Sequence, residues 1–195
     1  MKTPSKPFSR KGFTLVELLV VIAIIAVLAA AGFAVGPAMM NRAKKLSAQA
    51  GATSIANAVE QFYSEYSALP DPGSNDSDTQ YSTTETNGIK LLEILAGIDD
   101  GDQNPRKMRF LSAKEANKGR DGIVYGTGGD SIEKMVDPWG QPYFIRLDYG
   151  YDEQLQVTPG VNGTSANLNG KKVAVYSLGT EKPADASAKT LVKSW

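Results

Sequence analysis

The residues whose types and spacing bear chemistry stand near the start of the chain. They are Gly12, Phe13 and Glu17, within Arg10-Lys11-Gly12-Phe13-Thr14-Leu15-Val16-Glu17. Behind Glu17, residues 18–35 form a run of 18 with no charge and no polar side chain. At about 1.5 Å rise per residue such a run suits a membrane-spanning helix, and residues 13–16 extend it. A carboxylate at the head of a span costs roughly 2.5–3.5 kcal/mol unless it finds a partner. A secretory signal peptide has an apolar core of about 7–15 residues and ends at a small-residue cut site. Ala29-Ala30-Ala31 would serve as that site, but the run is too long and Glu17 interrupts its front. An ordinary signal anchor leaves the carboxylate unexplained.

Elsewhere the side chains exclude more chemistry than they offer. The 195 residues contain no histidine and no cysteine. Ser-His-Asp and Cys-His catalysis, imidazole zinc sites and disulfides are therefore absent. Carboxylate, lysine and tyrosine chemistry remains. Gly126-Thr127-Gly128-Gly129 lacks the lysine that a phosphate loop needs and reads as a turn. Formal charge is zero overall but unevenly divided. Residues 1–12 hold Lys2, Lys6, Arg10 and Lys11 and no acid, and the remainder holds 17 basic and 21 acidic residues. Basic residues ahead of a span predict a cytoplasmic start and an exported remainder. The mildly acidic remainder gives no electrostatic case for nucleic-acid binding.

One long helix must carry the first stretch. Periodicity predicts it from residue 13 to about residue 66, with Gly32, Gly36 and Pro37 as a weak point. Beyond Pro37, Leu46, Ile55, Val59, Phe62, Tyr63 and Tyr66 recur at largely helical spacing, so this half is expected to be the spine of a globular head. Asn41-Arg42-Ala43-Lys44-Lys45 reads as a solvated helix turn in reach of lipid headgroups. Leu69-Pro70 ends the helix. Residues 71–87 read as a loop and residues 88–95 as a second helix with Ile89, Leu92 and Leu95 on one face. Asp137-Pro138-Trp139-Gly140 reads as a turn, with Gly140 supplying a positive φ and Trp139 expected to cap the core. Residues 143–147 and 173–178 read as strands.

The stretch from Gly12 to Glu17 closely resembles the processing site of type IV pilins and type II secretion pseudopilins. The resemblance implies a leader, residues 1–12, cut by prepilin peptidase between Gly12 and Phe13. It implies N-methylation of Phe13 and retention of Glu17 in the membrane helix for assembly, where we expect it to set axial register. The Asp137-Pro138-Trp139-Gly140 turn, the strand after it, the Tyr176-Ser177-Leu178-Gly179 strand end and the terminal Ser194-Trp195 look like the major pseudopilin of type II secretion. Members of that family often hold calcium in an acidic loop after the last strand. Here the corresponding run has two scattered acids, Glu181 and Asp185, with Lys182 between them. Calcium takes six to eight oxygen ligands, which these carboxylates alone do not supply. They are the calcium candidates; no other cofactor is expected.

The resulting expectation is an α+β, type IV pilin-like fold, a long N-terminal helix packed on a small C-terminal antiparallel sheet. Its parts are the leader 1–12, a transmembrane or filament-core helix 13–37, an amphipathic spine 38–70 and the rest of the head, 71–195. The expected protein is not an enzyme but a structural subunit of a secretion pseudopilus. It would sit single-pass in a bacterial inner membrane, N-terminus cytoplasmic and head periplasmic. The resemblance implies as partners further copies of itself, minor pseudopilins, prepilin peptidase, an inner-membrane platform, an assembly ATPase and an outer-membrane secretin. The close rival is a type IV pilin or DNA-uptake pilin, against which the turn and the missing cysteines weigh. The remoter rival is a membrane-tethered ligand-binding or hydrolytic domain, against which the missing histidine and phosphate loop weigh.

Overall fold

The computed structural model describes residues 12–73, 79–98, 102–160, 163–180 and 191–195, the side chains of residues 31–37 excepted. Helix α1 runs Leu15–Tyr66, unbroken through Gly32, Gly36 and Pro37. The chain divides into two compact units, Met1–Asn41 and Arg42–Trp195.

In the first unit every described side chain from residue 12 to residue 30 is exposed. Leucines, isoleucines and valines point outward on all sides of the helix, including Leu18, Val21, Ile22, Ile25 and Leu28. A helix apolar all round is built to be covered by something else. Among the described residues no helix is long and apolar enough to cross a membrane.

In the second unit the back of α1 buries one stripe: Ala48, Ala52, Ile55, Val59 and Phe62. Their spacing of three and four residues keeps them on one face. Leu46, expected in this stripe, is 67% exposed. Nine residues from Ile55, at about 100° each, place it on the opposite side of the helix. Ser67 takes a left-handed conformation, φ 55°, and its N–H donates to Tyr63 O at 2.8 Å, which closes the last turn before Pro70.

Helix α2 spans Thr86–Ala96, and Gly97 ends it at φ 70°. Its buried face is Gly88, Leu91, Leu92 and Leu95 with Ile94 beside them; Ile89 lies partly exposed at the edge. Asn104 is fully buried and fastens the chain after α2. Its amide donates to Ile94 O and Met108 O, and its oxygen accepts from Met108 N–H and the Tyr66 hydroxyl.

The main sheet has four antiparallel strands. They are β1 (Gln80–Ser82), β4 (Tyr143–Leu147), β7 (Val173–Ser177) and β8 (Val192–Lys193), in the order β1-β4-β7-β8. Tyr81 pairs with Ile145, Phe144 with Tyr176, and Ser177 with Val192. Two hairpins accompany it: β2 (Gly122–Tyr125) with β3 (Ile132–Val136), and β5 (Gln154–Val157) with β6 (Ala166–Asn169). The Gly126–Gly129 stretch is the turn of the first hairpin.

Both faces of β4 and β7 are covered, which their alternation requires. Tyr143, Ile145, Leu147, Val173 and Val175 join α1 and α2 in the larger core. Ala174 and Tyr176 face the other way into a smaller core with Leu155, Val157 and Leu178, flanked by Phe144, Leu191 and Trp195. The fold class is α+β, as expected. The loop expected over residues 71–87 contains β1, a correction that follows from Tyr81 pairing with Ile145 and burying its ring.

Candidate functional site

The candidate site is the entrance to α1. Gly12, Phe13 and Thr14 precede the helix outside any regular element, and Phe13 is 80% exposed. A Cβ added at Gly12 would meet no atom of the described residues within 4 Å. The described residues therefore place no steric demand for glycine there.

Thr14 caps the helix and Glu17 answers it. The Thr14 N–H donates to Glu17 Oε2 at 2.9 Å, and the Thr14 hydroxyl donates to the same oxygen at 2.7 Å. In return Glu17 N–H donates to Thr14 Oγ1 at 3.2 Å. This is the reciprocal capping box, Thr at the N-cap and Glu three residues on. The sequence reading took Glu17 as a costly carboxylate retained for assembly and axial register, and missed Thr14. The signal was the T-x-x-E spacing before an apolar run. The arrangement holds the carboxylate beside the backbone of residues 13 and 14, where cleavage after Gly12 would create a free amine.

The second candidate stretch is the turn between β3 and β4. Asp137 and Pro138 are buried and Gly140 takes φ 87°. Asp137 organises it. Its Oδ1 accepts from Trp139 N–H and Gln141 N–H, both at 2.8 Å. Its Oδ2 accepts from the Ser177 hydroxyl at 2.5 Å, which ties the turn to β7. Its carbonyl accepts from Gly140 N–H and Asp121 N–H. Burial pushes the Asp137 carboxyl above its ordinary range, against these hydrogen bonds.

Trp139 does not cap the core. It is half-buried and belongs to neither apolar cluster. The turn's hydrogen bonds converge on Asp137, and the indole is left at the rim. Tyr143, the next aromatic, enters the core instead.

The calcium candidates Glu181 and Asp185 lie outside the described residues. Among the described residues no group of three or more His, Cys, Asp and Glu side chains is placed to hold a metal ion. The α1 entrance belongs to the first unit and the β3–β4 turn to the second.

Residues 7–33 match the family model described as the prokaryotic N-terminal methylation motif. A search among curated proteins and one among solved structures found no match. The chain thus carries a type IV pilin-like prepilin signal, the kind processed by prepilin peptidase and found on membrane-anchored precursors of structural filament subunits.

Proposed function

We propose that this chain is a major-pseudopilin-like subunit of a type II secretion pseudopilus, without enzymatic activity of its own. The observation that carries the reading is one of register. Gly12, Phe13 and Glu17 stand at the family spacing on a helix whose described front half is apolar and exposed on every side. Such a surface needs lipid around it, then other helices. The Asp137–Gly140 turn and the absence of cysteine favour secretion over a pilus.

In this reading the precursor inserts single-pass in the inner membrane and is cut between Gly12 and Phe13. Phe13 is then methylated, and subunits pack helix to helix into a periplasmic rod. An assembly ATPase and platform protein drive addition; minor pseudopilins and a secretin complete the route outward. Glu17 sets axial height. Its carboxylate and the Phe13 amine are each costly in hydrocarbon, and each lowers the other's cost when they meet. Within one chain Thr14 already occupies the carboxylate, so pairing with the amine of a neighbouring copy exchanges one set of donors for another.

The test follows processing, shear-released filaments and export together. Glu17→Ala should insert and be cleaved, because losing a charge eases insertion, yet yield no filaments and no export. Glu17→Asp, one methylene shorter, should assemble in part. Normal filaments from Glu17→Ala would contradict the register role.

A further inference from the structure

A small cavity in the head lies between α1 and the β2–β3 hairpin, with a volume of about 250 Å³. It has room for several waters or one small polar group. Tyr143 lines it while being only 1% exposed. The Tyr143 N–H and carbonyl are both engaged with Thr83. Its hydroxyl has no hydrogen-bond partner among the described residues. A Cβ on Gly51 would stand 2.3 Å from that oxygen, so α1 can pass here only because position 51 is bare. Burial, with Asp137 and Asp121 nearby, pushes the phenol up, so it stays protonated and offers a donor. The hydroxyl opens onto the cavity, so an acceptor lodged there could pair with it.

The rim is charged in both senses. The Lys114 ammonium donates to Asp121 Oδ2 at 2.5 Å and to Ser47 Oγ at 3.0 Å. The Ser47 hydroxyl donates to Asp121 Oδ1 at 2.8 Å. One cation, one anion and the hydroxyls of Ser47 and Tyr143 therefore border one small space, which Ser54 and Ser112 also line. That set complements a zwitterion, with a phosphate oxygen on Lys114 and the Tyr143 hydroxyl and an ammonium on Asp121. The same stretch of α1 carries Arg42, Lys44 and Lys45 just before Ser47. Exposed Leu46 and Ala50 line an adjoining groove. Basic and apolar side chains side by side suit a surface laid against lipid headgroups.

We propose that this cavity receives the phosphoethanolamine head group of a membrane lipid. In that role it seats the head on the bilayer before assembly. The inference rests on the membrane anchorage of the proposed function and adds a lipid site to it.

The test uses the full chain in maltoside micelles, titrated calorimetrically with O-phosphorylethanolamine. Binding is expected. Tyr143→Phe and Lys114→Met should each weaken it about tenfold, the scale of one lost hydrogen bond to a charged group. Tyr143→Phe keeps the ring, so an unchanged thermal melt will show that the head is intact. Phosphorylglycerol, which brings no cation for Asp121, should bind more weakly. Phosphatidylethanolamine doped into the micelles should compete. No binding by the unmodified chain, or equal binding by Tyr143→Phe, would overturn the site. Binding of the free probe without competition by the lipid would overturn the lipid as its source. Carbonate extraction of cell membranes separates the two levels. A chain that stays in the membrane but fails to bind sinks this inference alone, whereas a chain that washes off sinks the anchorage.

Discussion

Residues 15–28 and residues 48–62 are turns of one helix, α1, yet they meet their surroundings in opposite ways. The first set shows leucine, isoleucine and valine on every side. The second hides Ala48, Ala52, Ile55, Val59 and Phe62 on one face and turns Gln49, Glu60 and Gln61 outward. The difference teaches where each half gets its stability. The back half is held by its own head, through an apolar stripe and an aromatic cluster in which Phe62, Tyr66 and Phe110 meet at centroid distances of 4.8–6.0 Å. The front half has no such stripe and needs a cover from outside the chain. Hydrophobicity alone does not separate the two; its arrangement around the helix does.

Paired truncations give the hardest test of this contrast. Phe62→Ala should cost the head about 3–5 kcal/mol, the usual range for a buried aromatic. Ile25→Ala removes an exposed side chain and should leave the head's stability within about 0.5 kcal/mol. Thermal melting of the full chain in micelles, followed by tyrosine fluorescence, would measure both. Similar losses from the two changes would erase the distinction between the halves.

A smaller effect is expected at the β3–β4 turn. Asp137→Ala strands the Trp139 and Gln141 N–H groups and the Ser177 hydroxyl, at about 1–3 kcal/mol for a buried group left unpaired. The carboxyl also makes stability depend on pH. Its folded pKa lies above its ordinary 3.8, so the folded state holds the proton more tightly than the unfolded chain. Its contribution is therefore present in full below pH 3.8 and is lost as pH rises through the folded value. In melts from pH 3 upward, Asp137→Asn should lack this decline. A contribution from this residue that grows with pH would reverse the sign. The smallest effect belongs to Trp139→Ala, about 1 kcal/mol, because the indole is half-buried at the rim. A loss as large as that of Phe62→Ala would restore Trp139 to the core.

How much of this was legible follows from how each element signals itself. Helix α1 was legible through its length and apolar spacing, and β4 and β7 through alternation that both covered faces preserve. The Asp137–Gly140 turn was legible through turn chemistry, but its centre was misjudged. Ring size pointed to Trp139, whereas the hydrogen-bond accounting of a buried corner selects Asp137. The strand β1 was hidden because Gln80 and Ser82 flank a single apolar residue, Tyr81. The strand β6, Ala-Asn-Leu-Asn, lacks β-formers and exists by pairing with β5. At the candidate site Glu17 was legible by its misplacement in an apolar run. Thr14 was missed because its role comes from reciprocal geometry and not from charge.

The central claim is that the front of α1 is a processed element destined for a cover outside its own chain. Mass spectrometry of the membrane-extracted protein tests it most directly. The account predicts a mature chain lacking residues 1–12 and beginning at Phe13, with a single methyl on its amine. It also predicts that Gly12→Val, at a position where no atom of the described residues crowds the Cβ, leaves the precursor inserted and uncut. A mature N-terminus near Ala31, or an uncut and unmethylated chain, would contradict it.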